Sequence, residues 1–318
     1  MQPAQRLNQL LKDNISKVIV GKQDVIELVL NAILCGGHVL IEDVPGVGKT
    51  TLASAFAKSL ALSFKRIQFT PDVTPSDVTG YNFIDFKTDK MEYREGAVFA
   101  QMVLADEINR TSPKTQSSLL EVMEEGQVTL DGETHKLPTP FIVLATQNPV
   151  DFVGTYPLPE AQLDRFFMRV SIGYPTEAEE AEVLNMYMTG EKPLQTLEPV
   201  CTREDILRLQ KMVGDVRVSK EMRAYITQIV QASRSYRAFS RGISTRGAIS
   251  LMRSAQACAM LAGRDYVTPE DIRKMAGPVL AHRVVLSPEA RLGMKGATAE
   301  RMLARLISSI QVPVRLRG

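Results

Sequence analysis

Apolar residues in the first half of the chain fall into two spacings. Short unbroken runs, Val39-Leu40-Ile41, Met102-Val103-Leu104-Ala105 and Phe141-Ile142-Val143-Leu144-Ala145, have the continuous character of strands covered on both faces. Residues 64–69 and 166–172, interrupted by charged and polar residues, read as two further strands and bring the number to five. Between them the spacing becomes helical: over residues 7–18, from Asp24 to about Leu34, after Gly48, and from Ser112-Pro113 to Gly126 with Leu119, Leu120 and Met123 buried. Strands alternating with helices predict an α/β fold with a parallel five-stranded sheet between helices. The breaker-rich segment 70–80 predicts a loop. Two hairpins are expected, near 81–95 and near 127–137, the second turning on Asp131-Gly132, a pair suited to a type I′ turn.

After Gly173-Tyr174-Pro175 the pattern is helical only. Thr176 with Glu179 and Thr202 with Asp205 are capping pairs, Gly190 and Gly263 are stops, and Ser219, Ser244, Thr268 and Thr298 open further amphipathic helices. The chain of 318 residues is about twice the ~150 expected per domain. It divides by this reading into an α/β core, 1–173, and an all-helical lid domain, 174–318.

Composition narrows the class. Apolar residues at 44% suffice for sizeable cores, and no apolar run approaches the roughly 18 residues of a membrane span. The first residues lack the apolar core of a signal peptide. Cys35, Cys201 and Cys258 are scattered without paired spacing, which predicts reduced thiols and a cytoplasmic protein. The three histidines show no metal-ligand spacing, and a net charge of +2 exerts no general pull toward nucleic acid.

The chemistry concentrates at Asp43-Val44-Pro45-Gly46-Val47-Gly48-Lys49-Thr50, between the first strand and the helix that continues through Thr51. Strand, glycine-rich turn and helix are the setting of a phosphate-binding loop. Curled backbone N–H groups and the helix N-terminus receive a phosphate chain, Lys49 reaches its end, and Thr50 offers a hydroxyl to Mg²⁺. Asp43 stands where the usual pattern has Gly, a mild departure since Asp tolerates turn dihedrals. Asp106-Glu107 ends an apolar strand, where one acid can hold Mg²⁺ and the next can orient the attacking water of a hydrolase. Solvated strand-end acids are the alternative. Asn148 ends the following strand and could bond both a γ-phosphate and the water, or simply open an Asn-Pro turn. Arg165 could meet charge building on a transferred phosphate, although its local sequence alone favours a surface ion pair.

These motifs, in this order and spacing, make the chain resemble AAA+ ATPases, and closely the MoxR family. The resemblance rests on residues 40–50, Gln68-Phe69-Thr70-Pro71-Asp72 with Pro75-Ser76-Asp77, residues 104–110, Ala145-Thr146-Gln147-Asn148-Pro149, residues 158–166, and Ser244-Thr245-Arg246-Gly247-Ala248. It implies that Val44, Pro45, Gly46, Val47, Gly48, Lys49, Thr50 and Thr51 form Walker A, that Asp106 and Glu107 form Walker B, and that Asn148 is sensor 1. It implies that Arg165 is an arginine finger acting on a neighbouring subunit, that Arg246 is sensor 2, in cis or in trans, and that Val20 and Gly21 lie against the adenine. Arg110 could also reach across an interface. The cofactors implied are ATP and Mg²⁺. The assembly implied is a homo-oligomer, a hexamer by family habit, with a von Willebrand factor A domain protein and a protein client as partners.

The expected function is Mg²⁺-dependent ATP hydrolysis by a ring that remodels or matures a client, including metal or cofactor insertion. A DNA-remodelling motor is the alternative, weakened by the balance of Lys87, Lys90, Arg94, His135 and Lys136 against Asp85, Asp89, Asp131 and Glu133 on the hairpins. A non-hydrolysing ATP switch is a third reading, against which Glu107 and Asn148 both argue.

Overall fold

The computed structural model describes residues 2–148, 154–188, 193–293 and 296–313. Its strands in chain order are β1 (Val39–Glu42), β2 (Phe64–Gln68), β3 (Gly80–Asp85), β4 (Lys90–Glu95), β5 (Met102–Asp106), β6 (Gln127–Leu130), β7 (Glu133–Lys136), β8 (Ile142–Gln147), β9 (Met168–Val170), β10 (Phe239–Arg241) and β11 (Val285–Leu286). The helices are α1 (Gln2–Ile15), α2 (Gln23–Leu34), α3 (Lys49–Ser59), α4 (Pro75–Thr79), α5 (Pro113–Glu125), α6 (Glu160–Leu163), α7 (Glu177–Met188), α8 (Arg203–Val213), α9 (Lys220–Ser235), α10 (Thr245–Leu261), α11 (Pro269–Leu280), α12 (Pro288–Gly293) and α13 (Ala299–Ser309).

The central sheet runs β2-β5-β8-β1-β9, every pair parallel, as the alternation of elements predicts. Its inner strands are covered on both faces, which explains their unbroken apolar runs. On β5, Met102 and Leu104 join one core while Val103 and Ala105 join the other, and β8 divides in the same way. The first core continues from α1, α2 and α3 into α8, α9, α10, α11 and α13, so the α/β and helical halves share one apolar interior. Both expected hairpins form, β3 with β4 and β6 with β7, and Asp131 and Gly132 both adopt positive φ (50° and 86°). The helical half also holds a two-stranded antiparallel ribbon, β10 with β11.

Two boundaries differ from the sequence reading. The segment 70–80 contains α4, opened by a capping box in which Thr74 and Asp77 satisfy each other's backbone N–H groups. Strand β9 spans three residues, because the flanking backbone is bonded elsewhere. The carbonyls of Phe166 and Phe167 accept from Arg283, and the N–H groups of Ile172 and Gly173 donate to Asp43. Helix α7 is described as far as Met188, and Gly190, expected to stop it, lies outside the described residues.

Two buried histidines tie the start of this sheet to its surroundings. His38 Nε2 meets the Met123 carbonyl at 2.9 Å and its Nδ1 accepts from Val143 N–H at 3.0 Å, while His282 Nε2 meets the Phe166 carbonyl at 3.1 Å. Burial lowers the pKa of His38 to about 4 and moves that of His282 well below its ordinary value. Unfolding restores both to about 6.5, so the unfolded chain takes up protons that the folded chain refuses. The stabilisation is complete above pH 6.5 and is lost as the pH falls toward 4. Urea unfolding should therefore give a stability about 2–3 kcal/mol lower at pH 5.5 than at pH 7.5. A flat profile would mean that neither ring is held neutral.

Candidate functional site

The parallel order brings the C-terminal ends of β5, β8 and β1 side by side. Register sets Glu42 beside Gln147 and Gln68 beside Asp106. The loop after β1, the acids at the end of β5 and Asn148 just past β8 consequently share one edge of the sheet, the edge at which an open parallel sheet binds ligands. Gly46 and Gly48 adopt φ of +85° and +87°, a region that favours glycine, and Gly48 caps α3. The space beside Gly46 is open, as a phosphate cradle requires.

Lys49 folds back over this loop, donating to the carbonyls of Asp43 (2.7 Å) and Val44 (3.1 Å). Burial lowers its pKa, while Asp43, Asp106 and Glu107 pull the other way, which places the ammonium among all three carboxylates. Thr50 and Thr51 begin α3, half-buried beside it.

Asp43 does more than ease a turn. It is buried, and its carboxylate accepts from the Val44, Ile172 and Gly173 N–H groups and the Ser171 hydroxyl at 2.7–2.9 Å. Burial opposes the charge, but these donors hold its pKa below the ordinary value. The residue where Gly is usual thus ties the loop to the segment where the α/β core passes into the helical half. The turn at Val20 and Gly21 closes the same corner: the Ile19 side chain lies against Gly48, and Lys22 donates to the Tyr174 carbonyl (2.9 Å) and pairs with Glu179 (3.4 Å).

The acid pair is held in a network. Thr146 donates its hydroxyl proton to Asp106 (2.6 Å) and accepts from the Glu107 N–H (2.8 Å). Arg66 pairs with Asp106 at 2.6 Å and also bonds Gln68, whose amide donates to Glu107 (2.9 Å). Arg110 lies 3.4 Å from Glu107. Glu107 itself takes φ +58°, ψ +48°, costly for a non-glycine residue and characteristic of functional sites. Asn148 is buried, its carbonyl accepting from Asn109 at 3.3 Å. The Asp106 carboxylate, already facing the Arg66 cation, and the Thr50 hydroxyl in the first turn of α3 are hard-oxygen donors of the kind that suit Mg²⁺.

Arg165 and Arg246 lie elsewhere. Phe167 N–H donates to the His38 carbonyl at the start of β1, and Met123 meets the His38 ring. Arg165 precedes Phe167, and Glu124 follows Met123. Arg165 Nε lies 3.2 Å from Glu124, and Arg246 bonds the other oxygen of the same carboxylate. Lys49 follows the far end of β1, and from His38 to Asp43 alone the strand rises about 17 Å at ~3.3 Å per residue. The structure therefore gathers Val20, Gly21, Lys49, Thr50, Asp106, Glu107 and Asn148 at one edge, and the two arginines at the other.

Sequence reasoning missed four residues here. Arg66 and Gln68 alternate on an edge strand as solvated residues would, and Glu124 sits in a Glu-Glu pair at a helix end. Arg283, almost wholly buried, follows a helix end where a surface cation is ordinary. It donates to Asp164 Oδ1 (2.7 Å) and the Phe166 carbonyl (2.7 Å), while Ser244, the cap of α10, donates to Asp164 at 3.0 Å. This knot fixes Arg165 and Arg246 side by side.

Comparison with known proteins places this arrangement. Residues 38–168 match the model of the ATPase family associated with various cellular activities, and residues 231–304 match an AAA lid domain. The chain is 52% identical over 302 residues to the uncharacterized protein YeaC of Bacillus subtilis, covering 95% of this chain and 93% of that one. It is 38% identical over 310 residues to the chaperone MoxR1 of Mycobacterium tuberculosis, covering 94% and 80%. The crystal structure of a candidate ATPase from Cytophaga hutchinsonii superposes with a TM-score of 0.90 at 37% identity, covering 98% of this chain and 97% of that one. The chain is an ATPase and belongs to the MoxR family of AAA+ proteins.

Proposed function

We propose that the protein works as a ring, a hexamer by family habit, in which each ATP site is completed by the neighbouring subunit, and that hydrolysis remodels or matures a protein client. The observation that carries this reading is the distance between the arginines and their own phosphate loop. Arg165 and Arg246 sit at the end of the sheet opposite Lys49, so these two arginines can meet such a phosphate only on another chain. Within one site, the loop from Val44 to Thr51 and Lys49 hold the phosphates, and Val20 and Gly21 border the base. Thr50 and Asp106 would hold Mg²⁺, which would supply positive charge against the phosphates. Glu107 polarises the attacking water and Asn148 orients it. Arg165 and Arg246 stabilise the charge that develops on the neighbour's γ-phosphate.

The hairpins favour a polypeptide as client. At the tip of β3–β4, Phe86 is 96% exposed, with Ile84 and Met91 open beside it. The second hairpin braces the first through Asn82 donating to Asp131 (2.7 Å) and the stacked rings of Tyr93 and His135. An apolar tip suits unfolded protein better than a phosphate backbone. A von Willebrand factor A domain protein would present such a client, metal or cofactor insertion is one form such maturation would take, and free cysteines fit a cytoplasmic setting. Among the described residues no helix is long and apolar enough to cross a membrane.

Mixing inactive variants tests the shared site. Lys49→Ala and Arg165→Ala should each release almost no phosphate, and their mixture should recover a substantial fraction of parental turnover. No recovery, with subunit exchange verified, would return the active site to a single chain.

A further inference from the structure

Two arginines from different halves of the chain converge on one carboxylate. Arg165 follows α6 in the α/β half and Arg246 lies in the first turn of α10, yet the two pair with different oxygens of Glu124, Arg246 by a hydrogen bond and Arg165 as an ion pair at 3.2 Å. Glu124 stands one residue before the end of α5, and the neighbouring Met123 carbonyl is bonded by His38. Two guanidinium groups this close repel each other, and Arg283 adds a third positive charge that Arg246 disfavours. Asp164 answers Arg283, and Glu124 answers the other two.

The engagement is partial on both sides. Arg165 uses Nε and Arg246 uses Nη2, so each keeps donors uncommitted to Glu124. An arginine carries five N–H donors, so one bond to a carboxylate leaves a fork for a phosphate. The side chains are only part-buried, 30% exposed for Arg165 and 47% for Arg246, open to an approaching subunit.

We infer that Glu124 is a positioning residue for catalysis in trans: it holds Arg165 and Arg246 as one two-pronged unit aimed at the neighbouring subunit's ATP. The inference rests on the shared-site reading above. It adds that the core and lid arginines act together, and that the pairing is built before assembly. Glu124 touches no reacting atom; it acts through the arginines.

Chemistry makes the replacement specific. A carboxylate accepts from both arginines. Glutamine has one acceptor oxygen, and its NH₂ would oppose the second guanidinium, donor against donor. Glu124→Gln should therefore release one prong while preserving shape, and a misplacement near 1 Å lowers turnover by up to about 100-fold.

The test places the change on one partner at a time. The reference is the mixture of Lys49→Ala, which supplies arginines, with Arg165→Ala, which supplies the nucleotide site. Glu124→Gln added to the Lys49→Ala chain should lower kcat of the mixture about 10- to 100-fold with little change in KM. The same change added to the Arg165→Ala chain should leave turnover within about twofold of the reference. Weakened folding would lower both mixtures alike, and thermal melting of each chain checks it directly. Equal loss in both placements, or none in either, overturns the role of Glu124 while leaving the shared site standing. A silent reference mixture overturns the shared site, and this inference with it.

Discussion

Replacing Glu107 by Gln should leave ATP affinity within about twofold and lower turnover by about two to four orders of magnitude, the usual worth of a general base. The expectation comes from how the residue is held. Its N–H is fixed by the Thr146 hydroxyl, which also donates to Asp106. Its carboxylate takes the Gln68 amide at 2.9 Å. Glutamine has the same shape and can still accept that bond, so the loop, Lys49 and Asp106 should stay in place. What it lacks is the negative charge proposed to polarise water. Nucleotide titration and phosphate release separate the two effects. Near-parental turnover in Glu107→Gln would remove the residue from its proposed role, and another group would have to activate the water. Loss of affinity together with turnover would point instead to a structural part in the cradle, with Glu107 countering the Lys49 charge.

The residues that sequence made legible share one property: their chemistry is local. A glycine-rich turn after a strand, an acid pair at a strand end and an amide after the next strand announce themselves through spacing, because β1, β5 and β8 are parallel and end together. The same logic read the alternating strands and helices, since a strand covered on both faces must be apolar throughout. Asp43 marks the limit. Spacing registered it as a tolerated substitute for glycine, whereas its partners, Ser171 to Gly173, lie far along the chain and meet it only through the fold. Those bonds also shortened β9, as did Arg283 at its other end. Glu124, Arg66 and Arg283 were invisible for the same reason: each is an ordinary charged residue by sequence, and only the tertiary arrangement supplies its partner. α4 is a different omission, for Thr74 and Asp77 carry the capping pattern used to read later helices, outweighed there by the density of breakers.

Arg283 offers the largest expected loss of stability. Its side chain is 1% exposed, and burial works against its charge. Asp164 sustains that charge from 2.7 Å, and the guanidinium also donates to the carbonyls of Phe166, Phe167 and Val279. Arg283→Met would fill much of the volume but leave these carbonyls short of donors and the Asp164 carboxylate without its cation. Breaking a buried pair on one side costs about 3–5 kcal/mol. Asp164 keeps the Ser244 hydroxyl and some access to water, so a value near the lower end is expected. Urea unfolding of the single variant measures it. The double variant Arg283→Met with Asp164→Leu should be less destabilised than Arg283→Met alone, because it removes the stranded charge as well as its partner. A double variant as unstable as the sum of its singles would mean that packing, and not the pair, carries the stability. The two variants also divide stability from catalysis. With Asp164 and Arg283 replaced, the bonds that Ser244 and Arg283 make to the segment bearing Arg165 are lost, so the double variant should stay folded yet loosen the alignment of Arg165 with Arg246. Its turnover should then remain low at temperatures where the fold is intact.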